Sequence, residues 1–265
     1  MIKEIYNSSG YYGPVQFLNE TEIELYTAQL LKAVEQIDLM NSDYRCKSNV
    51  LFPWIDTLSR NVTVLSHVKE ILGENVHCWD TLIWIKDAES NKFVSWHQDA
   101  TYWNFMPKNH GLTVWVTLSE ATENMGCIEY IPGSHKELKH HVDIKNDNNL
   151  LMRGQTIENL DKTLAVKVPA PAGSFLIHHP FMFHGSSANK TKIPRLSLGL
   201  IYASTDVKPI ATYAPESTIM VSGKDTYNYM QHDTPPTGNW DTNIESWKAA
   251  YKRQHDNYYK MQQLA

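Results

Sequence analysis

Between residues 21 and 40, apolar side chains recur near helical spacing. Ile23, Leu30, Leu31, Val34 and Ile37 share one side, and Thr21 with Glu24 forms a capping box at the start. A second helix is expected over residues 58–72, with Gly73 placed to end it. From Val76 the period changes. VHCWDTLIWIK, FVSWHQD, LTVWVTLS, CIEYIP, LAVKVP, SFLIHH and RLSLGLIYAS are short runs rich in β-branched and aromatic residues. Asn91, Asn124-Met125-Gly126, Pro132-Gly133 and Pro171-Ala172-Gly173 separate several of them as turn formers. No βαβ rhythm intervenes. The pattern therefore predicts a mainly β fold, a sandwich or jelly roll, with N-terminal helices covering one face of a sheet.

Residues 136–162 are polar and rich in Lys, His, Asp and Asn, and read as an insertion between strands. Such insertions serve as lids or binding loops, or are simply solvated. The segment from Asn243 onward is a candidate helix with Ile244, Trp247 and Tyr251 on one side. No internal repeat or linker is visible. Residues 1–265 read as one domain, with a helical part over 1–75, a β core over 76–222 and a tail over 223–265.

Composition narrows the function. Hydrophobic residues make up 42% of the chain, enough for a full core. A net charge of −5, with 24 basic residues, offers no footprint for nucleic acid or an anionic membrane. No apolar run approaches the ~20 residues of a membrane span. The start, MIKEIYNSSGYYG, lacks both a signal-peptide core and an Arg-rich transit pattern, so a cytoplasmic location is expected. Cys46, Cys78 and Cys127 are isolated and form no C-x-x-C, which argues against a zinc knuckle or a disulfide framework. The partner expected is a small-molecule substrate; the oligomeric state is not indicated.

The candidate chemistry lies in Trp96-His97-Gln98-Asp99 and in the stretch from Gly173 to Leu200, which holds His184 and Arg195. On a strand, residues one apart point to the same side, so His97 and Asp99 would converge while Gln98 points away. His97, Asp99 and His184 are the ligand types of the facial triad that holds Fe(II) with positions left for a co-substrate and oxygen. Arg195 can supply a planar fork for a dicarboxylate. An isolated H-x-D is weak; its combination with a later His and Arg in a strand-rich chain is stronger. His178 and His179 are rivals for the distal ligand, and His184 is preferred because Gly185 follows and Arg195 lies on the next strand. His135, His140 and His141 read as solvent-facing. A zinc hydrolase site remains an alternative, although it would not explain the arginine. A metal-binding jelly-roll module without turnover is another.

At these residues the chain resembles the phytanoyl-CoA dioxygenase superfamily of Fe(II)/2-oxoglutarate oxygenases. The likeness covers residues 81–204, weakening through Tyr229. It rests on W-H-Q-D at 96–99, G-C-I-E-Y-I-P-G-S-H-K at 126–136, L-L-M-R-G-Q at 150–155 and H-G-S-S-A-N at 184–189 before Pro194-Arg195. The chain looks closest to small bacterial members, including those of natural-product and phosphonate metabolism. It is also similar to the chlorinating branch around 96–103. The resemblance implies a double-stranded β-helix, a cupin-like jelly roll. It implies His97, Asp99 and His184 as iron ligands, and Arg195 on the distal carboxylate of 2-oxoglutarate. Ser186 would add a hydrogen bond there, and Thr113 and Trp115 would line the co-substrate pocket. O2 would be the second co-substrate, with succinate and CO2 released. Chlorinating relatives carry Ala or Gly in place of the carboxylate ligand, so Asp99 makes hydroxylation the expected outcome and halogenation not. A small polar metabolite or natural-product intermediate is expected as substrate, with the 136–162 insertion forming one wall. Tyr102 and Trp103 are candidate substrate contacts, with core packing as their alternative.

Overall fold

A computed structural model of the chain describes residues 2–39, 43–151, 153–210 and 213–262. The helices are α1 (Ile2–Ser9), α2 (Glu20–Gln36), α3 (Ser48–Leu51), α4 (Pro53–Ser59), α5 (Val62–Leu72) and α6 (Ile244–Gln262). The earlier strands are β1 (Tyr11–Gln16), β2 (Val76–Lys86), β3 (Val94–His97), β4 (Phe105–Met106), β5 (Gly111–Thr117), β6 (Ile128–Tyr130) and β7 (Val142–Asp143). The later ones are β8 (Gln155–Thr156), β9 (Val166–Val168), β10 (Ser174–His178), β11 (His184–Ser186), β12 (Arg195–Ser204), β13 (Lys208–Pro209), β14 (Ser217–Ser222) and β15 (Gln231–His232). Each apolar run expected between Val76 and Ser204 carries a strand.

The helix signals need correction in detail. The capping box of α2 is Asn19 with Glu22, not Thr21 with Glu24. Glu22 N donates to Asn19 Oδ1 at 3.0 Å, and Asn19 N donates to Glu22 Oε2 at 2.9 Å. The helix ends at Gln36. The helix expected over 58–72 is two. Pro53 opens α4, and Asn61 caps α5 by accepting from Thr63 N and Val64 N. Gly73 does end α5, in the positive-φ region that suits glycine.

The described residues fall into two compact units that interleave along the chain. The first comprises Met1–Ala28, Trp84–Thr101 and Trp115–Leu198; the second comprises Gln29–Ile83, Tyr102–Val114 and Gly199–Ala265.

In the first unit, parts of one sheet run in the order β1-β10-β5-β12-β2, and a second sheet runs β3-β11-β6-β9. The pairings β1–β10, β3–β11, β6–β11 and β6–β9 are all antiparallel. Trp115 and Leu176 from the first sheet share a core cluster with Ile128, Tyr130 and Val168 from the second. The two sheets therefore pack face to face, which is the expected jelly roll. Each fully buried large apolar side chain there contributes on the order of 1.5–3 kcal/mol. The 136–162 insertion is not merely solvated. β7 pairs with β8, and Ile157 packs with Ile131, Phe183 and Trp96.

The second unit contains α3–α6, the remaining parts of β2, β5 and β12, and β14 and β15. Its core gathers Trp79, Trp103, Phe105, Ile201, Ala203, Val207 and Met230. The tail helix α6 is anchored by Trp247, whose indole N–H donates to Cys46 O at 2.8 Å and whose ring stacks on Tyr251. No helix among the described residues is long and apolar enough to cross a membrane.

Candidate metal centre

Strand pairing explains why residues far apart in sequence meet. β11 lies between β3 and β6. Its antiparallel registers set His184 opposite both His97 and Tyr130. β3 stops at His97, and Asp99 opens a short 3-10 turn. Strand alternation thus accounts for His97 alone; the turn brings Asp99 back beside it. Gln98 between them is fully buried. Its side-chain amide donates to Glu137 O and Phe181 O and accepts from Lys139 N, fastening the root of the insertion to the motif.

His97, Asp99 and His184 each offer one ligand atom, and these atoms lie within 4.8 Å of one another. Asp99 Oδ1 is 3.3 Å from His97 Nε2 and 3.5 Å from His184 Nε2. The Nδ1 of His97 lies 2.8 Å from Ser95 O, and that of His184 lies 2.9 Å from Met182 O. A carbonyl only accepts, so both Nδ1 atoms carry hydrogen and both neutral rings present the Nε2 lone pair. Two nitrogen lone pairs and a carboxylate oxygen thus face one point, an arrangement that repels itself without a cation. Burial alone would raise the Asp99 carboxyl. The neighbouring His184, His178 and His97 outweigh it and hold Asp99 well below the usual carboxylate range. Burial, with His97 beside it, pushes His184 well below the usual imidazole range. The donor set and the fixed tautomers fit divalent iron.

The rival histidines lie outside the triad. His178 Nε2 is 3.0 Å from Asp99 Oδ2, while its Nδ1 meets the Tyr130 hydroxyl at 2.9 Å. His179 Nδ1 accepts from Phe181 N. His135 is buried with Nε2 donating to Asn7 O, so its expected exposure to solvent is corrected; Gly10, Met182 and His179 pack around it. His141 is half-buried and accepts from Gln98 N at 2.9 Å, whereas His140 is exposed.

Arg195, which opens β12, is buried. Its Nη1 donates to Ser186 Oγ at 2.8 Å and to Gly126 O, and its guanidinium lies 5.3 Å from the centre of the Trp115 ring. Its Nε is buried without a hydrogen-bond partner. Gly126 adopts a positive φ, and a Cβ there would sit 2.0 Å from Ser187 O. Lys86, at the end of β2, converges on the same serine. Its ammonium donates to Ser186 Oγ, Ser186 O and Ser187 O. Burial pushes Arg195 down to about 10, and burial together with Arg195 pushes Lys86 down to about 6. Lys86 and Arg195 share one serine, and neither has an ion pair among the described residues. Buried charge without a counter-charge is costly, so the pair is suited to an anion such as a carboxylate. Lys86 was missed from sequence. Its signal was a lysine closing an otherwise buried strand.

Thr113 is buried in the second unit, two residues before Trp115 on β5. Tyr102 stacks on Tyr258, and Trp103, 1% exposed, packs against Trp79 and Phe105. Trp103 belongs to the second unit's core cluster, and the partly buried Tyr102 packs against it.

Four likenesses bear on identity. The family profile described as phytanoyl-CoA dioxygenase (PhyH) matches residues 6–197. The chain is 30% identical over 208 residues to a probable alpha-ketoglutarate-dependent hypophosphite dioxygenase of Stutzerimonas stutzeri, covering 76% of this chain and 68% of that protein. It is 29% identical over 148 residues to the peroxisomal phytanoyl-CoA dioxygenase of Homo sapiens, covering 54% of this chain and 44% of that protein. Among solved structures, the apo form of the non-heme monooxygenase ThoJ superposes with a TM-score of 0.89 at 25% identity, covering 100% of both chains. With the site's donor set, these matches show that the chain belongs to the phytanoyl-CoA dioxygenase (PhyH) family of Fe(II)- and 2-oxoglutarate-dependent oxygenases.

Proposed function

We propose that this protein hydroxylates an unactivated C–H bond of a small polar metabolite or natural-product intermediate, consuming 2-oxoglutarate and O2. The observation that carries the reading is the convergence of His97 Nε2, His184 Nε2 and Asp99 Oδ1 on one point. His97, Asp99 and His184 would hold Fe(II), which when bound supplies oxygen activation coupled to decarboxylation of 2-oxoglutarate. Arg195 would bind the far carboxylate of 2-oxoglutarate, with Lys86 adding positive charge once the anion favours its protonated form, and Ser186 orienting both side chains. Trp115 covers one face of the guanidinium and excludes water, which strengthens that charge pairing. Asp99 supplies a carboxylate where a halide would otherwise be needed, which favours oxygen insertion over halogenation.

The polar-substrate reading rests on the insertion. Glu137, Lys139 and His140 are exposed, and Gln98 and His141 tie their backbone to the metal motif. Groups of this kind discriminate by hydrogen bonding, since a site built for polar partners rejects analogues that lack them. A cytoplasmic location suits the free, buried Cys46, Cys78 and Cys127.

The test is oxygen-dependent succinate formation from 2-oxoglutarate with Fe(II), across a panel of amino acids, phosphonates, amines and acyl-CoAs. Under 18O2, label should enter a polar substrate in a one-to-one ratio with succinate. Tight coupling with an acyl-CoA and none with polar compounds would overturn the substrate class. A chlorinated product in chloride buffer would overturn the reaction type.

A further inference from the structure

His178 is bonded in the opposite sense to the two ligand histidines. His97 and His184 rest their Nδ1 hydrogens on backbone carbonyls, which leaves Nε2 as a lone pair. His178 Nδ1 instead meets the Tyr130 hydroxyl at 2.9 Å, and its Nε2 lies 3.0 Å from Asp99 Oδ2. A carboxylate oxygen only accepts, so His178 Nε2 must carry hydrogen. In the neutral ring the Tyr130 O–H then donates to Nδ1. In a doubly protonated ring Nδ1 donates to the Tyr130 oxygen. Either way Nε2 is a donor to Asp99 and cannot be a metal ligand.

The surroundings hold this relay in place. Tyr130 is fully buried, and Tyr11 stacks on its ring at 4.6 Å. Tyr11 is also the registered partner of His178 between β1 and β10. One edge strand thus braces both members. The carboxylate is divided between two neighbours: Oδ1 faces the two ligand nitrogens, and Oδ2 is taken by His178.

We infer that His178, backed by Tyr130, is a positioning residue that occupies the second oxygen of Asp99 and so makes Asp99 a one-oxygen ligand. This rests on the iron site proposed above. A carboxylate left free to bind through both oxygens would use a coordination position that the co-substrates need. Hydrogen-bonded partners of metal ligands typically matter by about 10- to 100-fold in affinity or activity.

The probe is Co(II), read by its visible absorption spectrum and by competition with a chelator, on the full chain. His178→Phe, which cannot donate, should weaken Co(II) binding by about 10- to 100-fold and alter the spectrum. His178→Gln, whose amide N–H can reach Asp99, should recover affinity to within about threefold, with a wild-type spectrum. Tyr130→Phe keeps the ring packing and should fall between these two. It carries the test if His178→Phe does not fold. Melting of the metal-free variants separates loss of fold from loss of positioning. Wild-type affinity and spectrum in His178→Phe would overturn the inference, as would a folded His178→Gln no better than His178→Phe. So would Tyr130→Phe indistinguishable from wild type, if His178→Phe does not fold. Failure of the wild-type protein to bind Co(II) would instead overturn the metal-site reading itself.

Discussion

The first unit holds buried polar groups that converge, whereas the second holds buried polar groups that saturate one another. In the second, Asp80 accepts from Lys47 N and Thr81 N at 2.7 Å each and from Gln254 Nε2 at 2.9 Å. Lys47 Nζ donates to Trp79 O and Ser217 O. Glu216 accepts from Trp79 Nε1, Asn104 Nδ2 and Asn257 Nδ2. Buried charges with matched partners specify and brace a fold. In the first unit, lone pairs of His97, Asp99 and His184 point together, and Lys86 and Arg195 meet on Ser186 with no carboxylate paired to either among the described residues. Such an arrangement costs stability until a ligand completes it. Burial alone would not distinguish the two clusters; the match of donors to acceptors does.

The comparison can be broken by substitution. The largest effects belong to the triad. Replacing His97, Asp99 or His184 by Ala should lower metal affinity by more than about 100-fold, beyond what outer partners contribute. The metal-free melting temperature should change little. Equal loss of metal-free stability in all three would make the triad a structural cluster after all. Asp80→Ala should do the reverse. It leaves the backbone N–H groups of Lys47 and Thr81 and the Gln254 amide without their acceptor, and the buried Lys47 ammonium without its nearby counter-charge, which costs about 3–5 kcal/mol of stability with metal affinity unchanged in the folded fraction. Urea unfolding and metal titration on one preparation would show both.

His77 is one of the unsaturated members of the second unit. It is 1% exposed, and neither ring nitrogen has a hydrogen-bond partner. Burial depresses it to about 4, with Asp225 opposing and His232 and Lys47 reinforcing. A depressed histidine contributes stability that is complete above its unfolded value near 6.5 and is lost as pH falls toward 4. The loss at pH 4.5 relative to pH 7.5 should be about 2–3 kcal/mol. His77→Leu should flatten that part of the profile. An unchanged profile would show that another group sets the acid limb.

The smallest effect expected is at the anion clamp. Arg195→Lys keeps the charge and loses the fork, so the KM for 2-oxoglutarate should rise by roughly 10- to 100-fold, about 1.5–3 kcal/mol. An unchanged KM would remove Arg195 from co-substrate binding.

The strands were legible because dense β-branched and aromatic runs between turn formers have few other uses. The triad and Arg195 were legible as residue types in a recognisable order. β1 was not, because Gly13 and Pro14 interrupt its run of strand-forming residues. At the edge of the sheet Pro14 is tolerated, and the register shifts around it. The α2 cap was misplaced because Asn19-x-x-Glu22 and Thr21-x-x-Glu24 are equally good on paper, and only the backbone chooses. Lys86 was passed over because a lysine at a strand end ordinarily reaches solvent. Tyr102 and Trp103 illustrate the remaining limit. An aromatic ring beside a motif looks the same in sequence whether it lines a pocket or fills a core.

The central claim is that His97, Asp99 and His184 form one iron centre that takes 2-oxoglutarate with the help of Arg195. Anaerobic titration with Fe(II) and 2-oxoglutarate, followed by the visible charge-transfer absorption of that pair, tests it most directly. The wild-type protein should saturate at one iron per chain with the band present, and His184→Ala should show none. No band in the wild type, or the same band in His184→Ala, would contradict the account.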